Sequence, residues 1–518
     1  MQLLSALAKK MNIHIKPLDD IEIDFDAVKK ISRKMAEKYC LIPVSIDGEC
    51  LTIIMNDPLN FYAVEDVRLV TNMPVIVALD EKKKIERKIE ICYGEIEAKQ
   101  VVNIANESST TSGNATSIEE LGDMAAHELE SGDDQRPVIK LLNSLLSHGY
   151  NINASDIHIE PFEKETRVRM RVDGMLIDYL ILAKNLHPSL IARTKIMSNL
   201  DIAEKRVPQD GHIKTIIDGI EMNIRVSTLP TMNGEKAVLR YLNSATKVTN
   251  SEHFGMNDEN YMKFAKMMNS PNGIIYITGP TGSGKTTTLY MALDKLAQKQ
   301  VNISTIEDPV ERNIDRVNQV QVNTVSGLTF GVGLRSLLRQ DPDIIMVGET
   351  RDAETAQISV RCSITGHLVL STLHTNDAIS SIVRLEDMGV EPFMVANSVV
   401  GLMAQRLVRT ICPACKQAYE PSLQEQELLH GSTKTLYRGT GCAVCNQTGY
   451  KGRTAVHEVV VIDKPIKQLI SQRAPLDDIY QYAKKAQGFK TLVECAEELV
   501  LSGQSTTDEL VKLLYNAD

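Results

Sequence analysis

The sequence predicts an α/β protein built from a parallel-sheet C-terminal domain, an antiparallel α+β middle domain and a small α/β N-terminal domain. From about residue 255 onward, buried-looking apolar runs alternate with helical stretches, the mark of a parallel sheet with crossover helices. Between about 136 and 245 the alternation is period two instead: Arg167-Val168-Arg169-Met170-Arg171-Val172 would show three arginines on one strand face. Third, the apolar run Gly273-Ile274-Ile275-Tyr276-Ile277-Thr278 leads into a glycine-rich loop and then a helical pattern.

At 518 residues the chain is too long for one core, and a length prior gives about two to four domains. With 43% hydrophobic and 24% charged residues and no apolar run of roughly 18, nothing in it reads as a membrane span. The first ten residues place their lysines after a short apolar stretch, which is not the layout of a secretory leader. A cytoplasmic protein is expected. A net charge of -10, no Trp and 4% aromatic residues offer neither the basic surface nor the stacking platform of a nucleic-acid binder. Nine cysteines, five scattered and four in two close pairs, suit a reducing compartment with one metal site.

In chain order, residues 1–98 mix helical periodicity (Ala27 to Tyr39) with the strand-like Leu51-Thr52-Ile53-Ile54-Met55, closed by Asn56-Asp57-Pro58. Residues 99–135 turn to Asn, Ser, Thr, Gly and acids, with too little apolar material to pack, and read as a flexible linker. The middle domain, 136–245, opens with an apolar helix after Pro137 and holds a strand at Met222 to Ser227 that sets Arg225 opposite Met222, Ile224 and Val226. The last domain spans 255–518, with an insert at about 410–450.

Gly279-Pro280-Thr281-Gly282-Ser283-Gly284-Lys285-Thr286 lies between that strand and a helix that continues through Thr287. Glycines let backbone N–H groups curl around phosphates at a helix N-terminus, Lys285 reaches the β and γ phosphates, and the Thr286 hydroxyl ligates Mg²⁺. ATP with Mg²⁺ is the expected ligand. Two acidic clusters end strand-like runs, Glu307-Asp308 after Ile306 and Glu349 after Asp343 to Gly348. At the C-terminal ends of parallel strands such carboxylates lie beside the loop. Glu349 is assigned to polarising the attacking water, and Glu307 with Asp308 to holding Mg²⁺ or its water shell. Because Gly348 stands where phosphate-loop enzymes commonly place an Asp, the first cluster is expected to carry more of the metal binding. His367 and His374 flank another short apolar run; each alone reads as a core or turn residue, while His374 is also placed to hydrogen-bond the γ phosphate. Cys412-Pro413-Ala414-Cys415 and Cys442-Ala443-Val444-Cys445 offer four thiolates to one tetrahedral, structural Zn²⁺.

The chain resembles, over about residues 136 to 518, the secretion ATPases that power type II secretion and type IV pilus assembly. The likeness rests on the loop, on Ser155-Asp156-Ile157-His158-Ile159-Glu160-Pro161, on Leu200 to Gly211, on Glu307-Asp308-Pro309-Val310-Glu311, on Arg339-Gln340-Asp341-Pro342-Asp343, on Gly366-His367 to His374-Thr375-Asn376, and on both cysteine pairs. It implies a RecA-like phosphate-loop domain working against a PAS-like middle domain in a homo-hexamer. By the same likeness, Arg225 and Arg240 reach the γ phosphate when the domains close, and Arg335, Arg339, Arg351 and Arg384 lie around the site or the subunit contact. It further implies a platform protein in the inner membrane turned by the motor, an assembly protein docked by the N-terminal domain, and a peripheral place on the cytoplasmic face of that membrane; from the composition, no nucleic-acid partner is expected. The tandem leucine- and glycine-bearing repeats that bind cyclic di-GMP in some relatives are not visible in residues 1 to 100, so no such regulation is expected. A retraction ATPase would normally lack the first domain and the four cysteines. The alternatives are a related ATPase for DNA conjugation or effector translocation, and a nucleotide-gated scaffold.

Overall fold

A computed structural model of the chain describes residues 18, 21, 23–86, 88–89, 92–93, 96, 137–217, 219–242, 253–431 and 433–515. The linker expected at 99–135 lies outside the described residues. The chain divides into two compact units, the first of residues 1–246 with 442–444 and the second of residues 247–441 with 445–518.

In the first unit, the N-terminal part has a three-stranded sheet of β1 (Leu41–Asp47), β2 (Cys50–Met55) and β3 (Val75–Leu79), with β2 central, antiparallel to β1 and parallel to β3. The helical pattern read through Ala27 to Tyr39 is two helices, Phe25–Val28 and Arg33–Tyr39. Ser32 breaks it, since its hydroxyl accepts from the Met35 amide and starts a new helix.

The middle part is a six-stranded antiparallel sheet ordered β6-β5-β4-β9-β8-β7. Its strands are β4 (Ala154–Pro161), β5 (Glu165–Val172), β6 (Met175–Ala183), β7 (Gln209–Ile217), β8 (Ile220–Thr231) and β9 (Gly234–Tyr241), packed with helices Pro137–Asn151 and His187–Met197. As the alternation predicts, Val168 and Met170 are buried while Arg167, Arg169 and Arg171 take the other face.

The second unit is organised by a seven-stranded sheet ordered β12-β11-β13-β14-β10-β15-β18. These are β10 (Gly273–Thr278), β11 (Ile303–Glu307), β12 (Val317–Gln321), β13 (Ile344–Val347), β14 (Leu368–Leu373), β15 (Val399–Ile411) and β18 (Tyr450–Val461). All neighbours run parallel except β18, which closes the edge antiparallel to β15. Every residue of β10, β11, β13 and β14 is buried, as strands covered by helices on both faces must be. Alternate residues serve different cores: Ile274 and Tyr276 pack with Val347, Val369 and Leu402, whereas Ile275 and Ile277 pack with Met346, Leu370 and Leu289. A two-stranded hairpin of β16 (Lys416–Tyr419) and β17 (Leu436–Gly439) carries the cysteine insert. The α/β class expected from the sequence is the one observed.

Candidate functional site

The loop Gly279–Gly284 leaves the C-terminal end of β10 and enters helix Lys285–Leu296, whose N-cap Gly284 has φ 87°. Left-handed conformations at Gly279, Gly282 and Gly284 let the chain curl so that amides point inward. Thr286 and Thr287 are exposed at the mouth of this helix, while Lys285 is 9% exposed. The Lys285 ammonium donates to the carbonyls of Gly279 (2.6 Å) and Pro280 (3.0 Å). Burial, then the nearby Arg406 charge, pull it down to about 8, against the opposing pull of Glu349.

The structure brings Glu349, His374 and Lys285 together at the ends of β13, β14 and β10. Glu349 Oε2 lies 2.7 Å from Arg351 Nε and 3.6 Å from His374 Nε2. Burial and the Lys285 charge hold His374 below the ordinary histidine range, with Glu349 pulling the other way. His367 sits at the opposite end of β14, where Nδ1 contacts the Cys362 carbonyl at 2.9 Å. It caps the turn after helix Ala353–Ile364.

Glu307, expected with Asp308 to hold Mg²⁺ or its water shell, is the last residue of β11. It is 2% exposed, and its carboxylate accepts from Thr305 (2.5 Å), Gln319 (3.1 Å) and the Tyr290 hydroxyl. Those oxygens tie β11 to the loop's own helix, leaving the exposed Asp308 as the cluster's open carboxylate. Gly348 has a steric reason: a Cβ there would lie 3.3 Å from Glu307 Cα and 3.4 Å from the Ile306 carbonyl, so an Asp would press on β11. In the first unit, Arg240 Nε donates to Asp156 at 2.7 Å, and Arg225 stands across from Arg240 in the β8–β9 register. Both are exposed.

Three neighbours of the site escaped the sequence reading. Tyr290 bonds Glu307 and accepts from the Glu311 amide at 2.9 Å, joining the loop helix to the first acidic cluster. Gln405 and Arg406 are buried on β15; Arg406 donates to the Asn376 carbonyl at 2.9 Å. The available signal was a Gln-Arg pair inside the otherwise apolar run Gly401 to Val408, since polar groups buried in a strand need partners.

The sulfur atoms of Cys412, Cys415, Cys442 and Cys445 lie within 4.8 Å of one another. A zinc tetrahedron with arms of about 2.3 Å has sulfur–sulfur edges of about 3.8 Å, and Cys415 Sγ lies 3.9 Å from Cys445 Sγ. The Gly449 amide donates to Cys445 Sγ at 3.2 Å, as suits a thiolate. This donor set fits the metal expected.

Known proteins resemble this chain over most of its length. The family model of the type II/IV secretion system protein matches residues 131–512, and that of the MshEN domain matches 12–99. The type II secretion system ATPase E of Vibrio cholerae is 50% identical over 349 residues, 67% of this chain and 69% of that protein. The type IV pilus assembly ATPase PilB of Myxococcus xanthus is 39% identical over 521 aligned positions, 98% of this chain and 90% of that protein. Among solved structures, the ATPase DotB of Legionella pneumophila has a TM-score of 0.54 at 20% identity, covering 73% of this chain and 95% of that one. The pilus retraction motor PilT with bound ADP has a TM-score of 0.50 at 24% identity, covering 72% and 96%. These two share the fold.

Proposed function

The chain belongs to the type II/IV secretion system protein family, and from that premise we propose that it is an ATPase motor whose turnover drives assembly of a type IV pilus or a type II secretion pseudopilus. The observation that carries the reading is the convergence of Glu349, Lys285 and the exposed Thr286 around the glycine-rich loop. In this reading the amides of Gly279–Lys285 cradle the triphosphate, Lys285 neutralises its charge, and Glu349 accepts the proton of the attacking water. Thr286, with Asp308, would hold Mg²⁺, which when bound supplies charge neutralisation on the phosphates. His374 donates toward the γ phosphate. Arg225 and Arg240, both exposed on the middle domain, are assigned by the family resemblance alone to stabilising charge on the transferred phosphoryl group.

The family resemblance further supports a hexameric ring on the cytoplasmic face of the inner membrane, engaging a platform protein there. No helix among the described residues is long and apolar enough to cross a membrane. The N-terminal domain would dock an assembly protein through the exposed Phe61, Tyr62, Leu69 and Val70 of helix Phe61–Thr71. The four thiolates would hold one structural zinc that sets the hairpin.

Mixing wild-type protein with rising fractions of Glu349→Gln subunits, with subunit exchange confirmed, tests the motor. The pure variant should keep ATP binding and lose about 10²–10⁴-fold in turnover. Turnover in mixtures should fall more steeply than the wild-type fraction. A strictly proportional fall means independent sites and moves the assignment to a nucleotide-gated scaffold.

A further inference from the structure

Gln405 is the first residue of β15 beyond its pairing with β10, which ends with Ala404 opposite Thr278. The phosphate loop begins at the next residue of the other strand, and the two backbones touch. A Cβ on Gly279 would lie 2.5 Å from the Gln405 carbonyl oxygen, and one on Gly284 would lie 2.7 Å from Gln405 Nε2. The side chain is 2% exposed and both ends of its amide are used. Nε2 donates to the Ser283 carbonyl at 2.8 Å, and Oε1 accepts from the Thr288 hydroxyl at 2.8 Å. The reversed amide would set Oε1 against a carbonyl, two acceptors face to face, so the Ser283 contact fixes which end is which.

A trans peptide is planar, with its C=O and N–H on opposite sides. Holding the Ser283 carbonyl toward Gln405 therefore turns the Gly284 N–H away from Gln405. Gly284 sits at φ 87°, in a region where glycine turns a peptide over at little steric cost, so its own backbone does not secure that orientation. We propose that Gln405 is a positioning residue for phosphate binding: its amide locks the Ser283–Gly284 peptide so that the Gly284 N–H faces the nucleotide's phosphates. Thr288, on the second turn of the same helix, holds the clamp in register. The proposal rests on the reading of Gly279–Thr287 as the nucleotide loop.

Gln405→Glu is nearly isosteric and replaces the donor facing Ser283 with an acceptor. Binding of ADP and of adenosine is measured by calorimetry on the full chain, with fitted stoichiometry reporting the competent fraction. Losing an amide aimed at phosphate should raise the ADP Kd about ten- to a hundredfold and leave the adenosine Kd unchanged. A purely architectural role would lower stoichiometry or melting temperature without changing that ratio. If Gln405→Glu fails to fold, Gln405→Leu and Thr288→Val give the same readout. Thr288→Val should weaken ADP less than Gln405→Leu, and the double variant should be no weaker than Gln405→Leu alone. Wild-type ADP affinity in the folded variants, equal losses for ADP and adenosine, or additive losses in the double variant would overturn the clamp. Wild-type protein that binds ADP no better than Lys285→Ala would instead overturn the reading of the loop.

Discussion

Lys285 gives the sharpest quantitative prediction, because its environment differs from that of an ordinary lysine in a way that binding must reverse. Lys285 is 9% exposed, and burial, followed by the charge of the nearby Arg406, brings its proton affinity down to about 8. Phosphate oxygens favour the charged form, so nucleotide binding raises that value again. Affinity is therefore flat while Lys285 is already protonated, and above about pH 8 each bound nucleotide must recruit a proton. Between pH 7.5 and 9.5, where the phosphates are already ionised, the ADP Kd should rise about 25-fold, whereas a lysine near 10.4 would change it by only about a tenth. Calorimetry at pH 8.5 in buffers of different ionisation enthalpy should show uptake of about 0.8 proton per nucleotide. Burial also pushes Glu458 up to about 8, with Asp377 adding to the shift, so the series is repeated in Glu458→Gln. Lys285→Arg, which keeps its charge throughout, should lose the slope. A wild-type Kd that changes less than twofold, or an equal slope in Lys285→Arg, refutes the argument. For folding the sign is that of a depressed base: burying this lysine costs stability below about pH 8, and the cost fades as pH rises toward the unfolded value.

Two further outcomes follow from buried contacts. Tyr290→Phe removes a donor to the buried Glu307 carboxylate and leaves it Thr305 and Gln319; it should destabilise the second unit by about 1.5–3 kcal/mol, read as a shift of that unit's denaturant transition, and a shift under about 0.5 kcal/mol would show that the hydroxyl is dispensable. Cys415→Ser should lower bound zinc from about one per chain and loosen the hairpin of β16 and β17, read by elemental analysis and hydrogen exchange across 412–449; a wild-type chain that takes up no zinc would show that the thiolates pack without metal.

Where one physical signal dominates, the sequence is easily read. The strand Gly273–Thr278 and its loop are legible because a fully apolar run, a glycine pattern and a helix follow within a few residues. β5 is legible because Arg167, Arg169 and Arg171 leave only the alternate residues to bury. The helical periodicity ending at Tyr39 hides the break because it passes through Ser32, whose capping bond is a local event that a hydrophobic pattern does not register.

Glu307 and Gln405 show why the site itself is harder to read than the fold. A carboxylate ending a strand next to a phosphate loop has two uses, open to the ligand or sealed into the scaffold, and the sequence around Glu307 is compatible with both. Its hydrogen-bond donors include Tyr290, 17 residues away, and Gln319 from β12; neither is marked by a motif, because a hydroxyl and an amide acquire this task only when the sheet assembles. Gln405 is the converse case. Apart from Arg406, its neighbours between Gly401 and Val408 on β15 are apolar, and a buried amide in such a run costs free energy unless both its ends are bonded. The two partners that satisfy it, Ser283 and Thr288, lie 122 and 117 residues earlier and flank the start of the loop helix. A polar residue in an apolar strand thus points to the piece of backbone it must satisfy, and here that backbone is the phosphate loop.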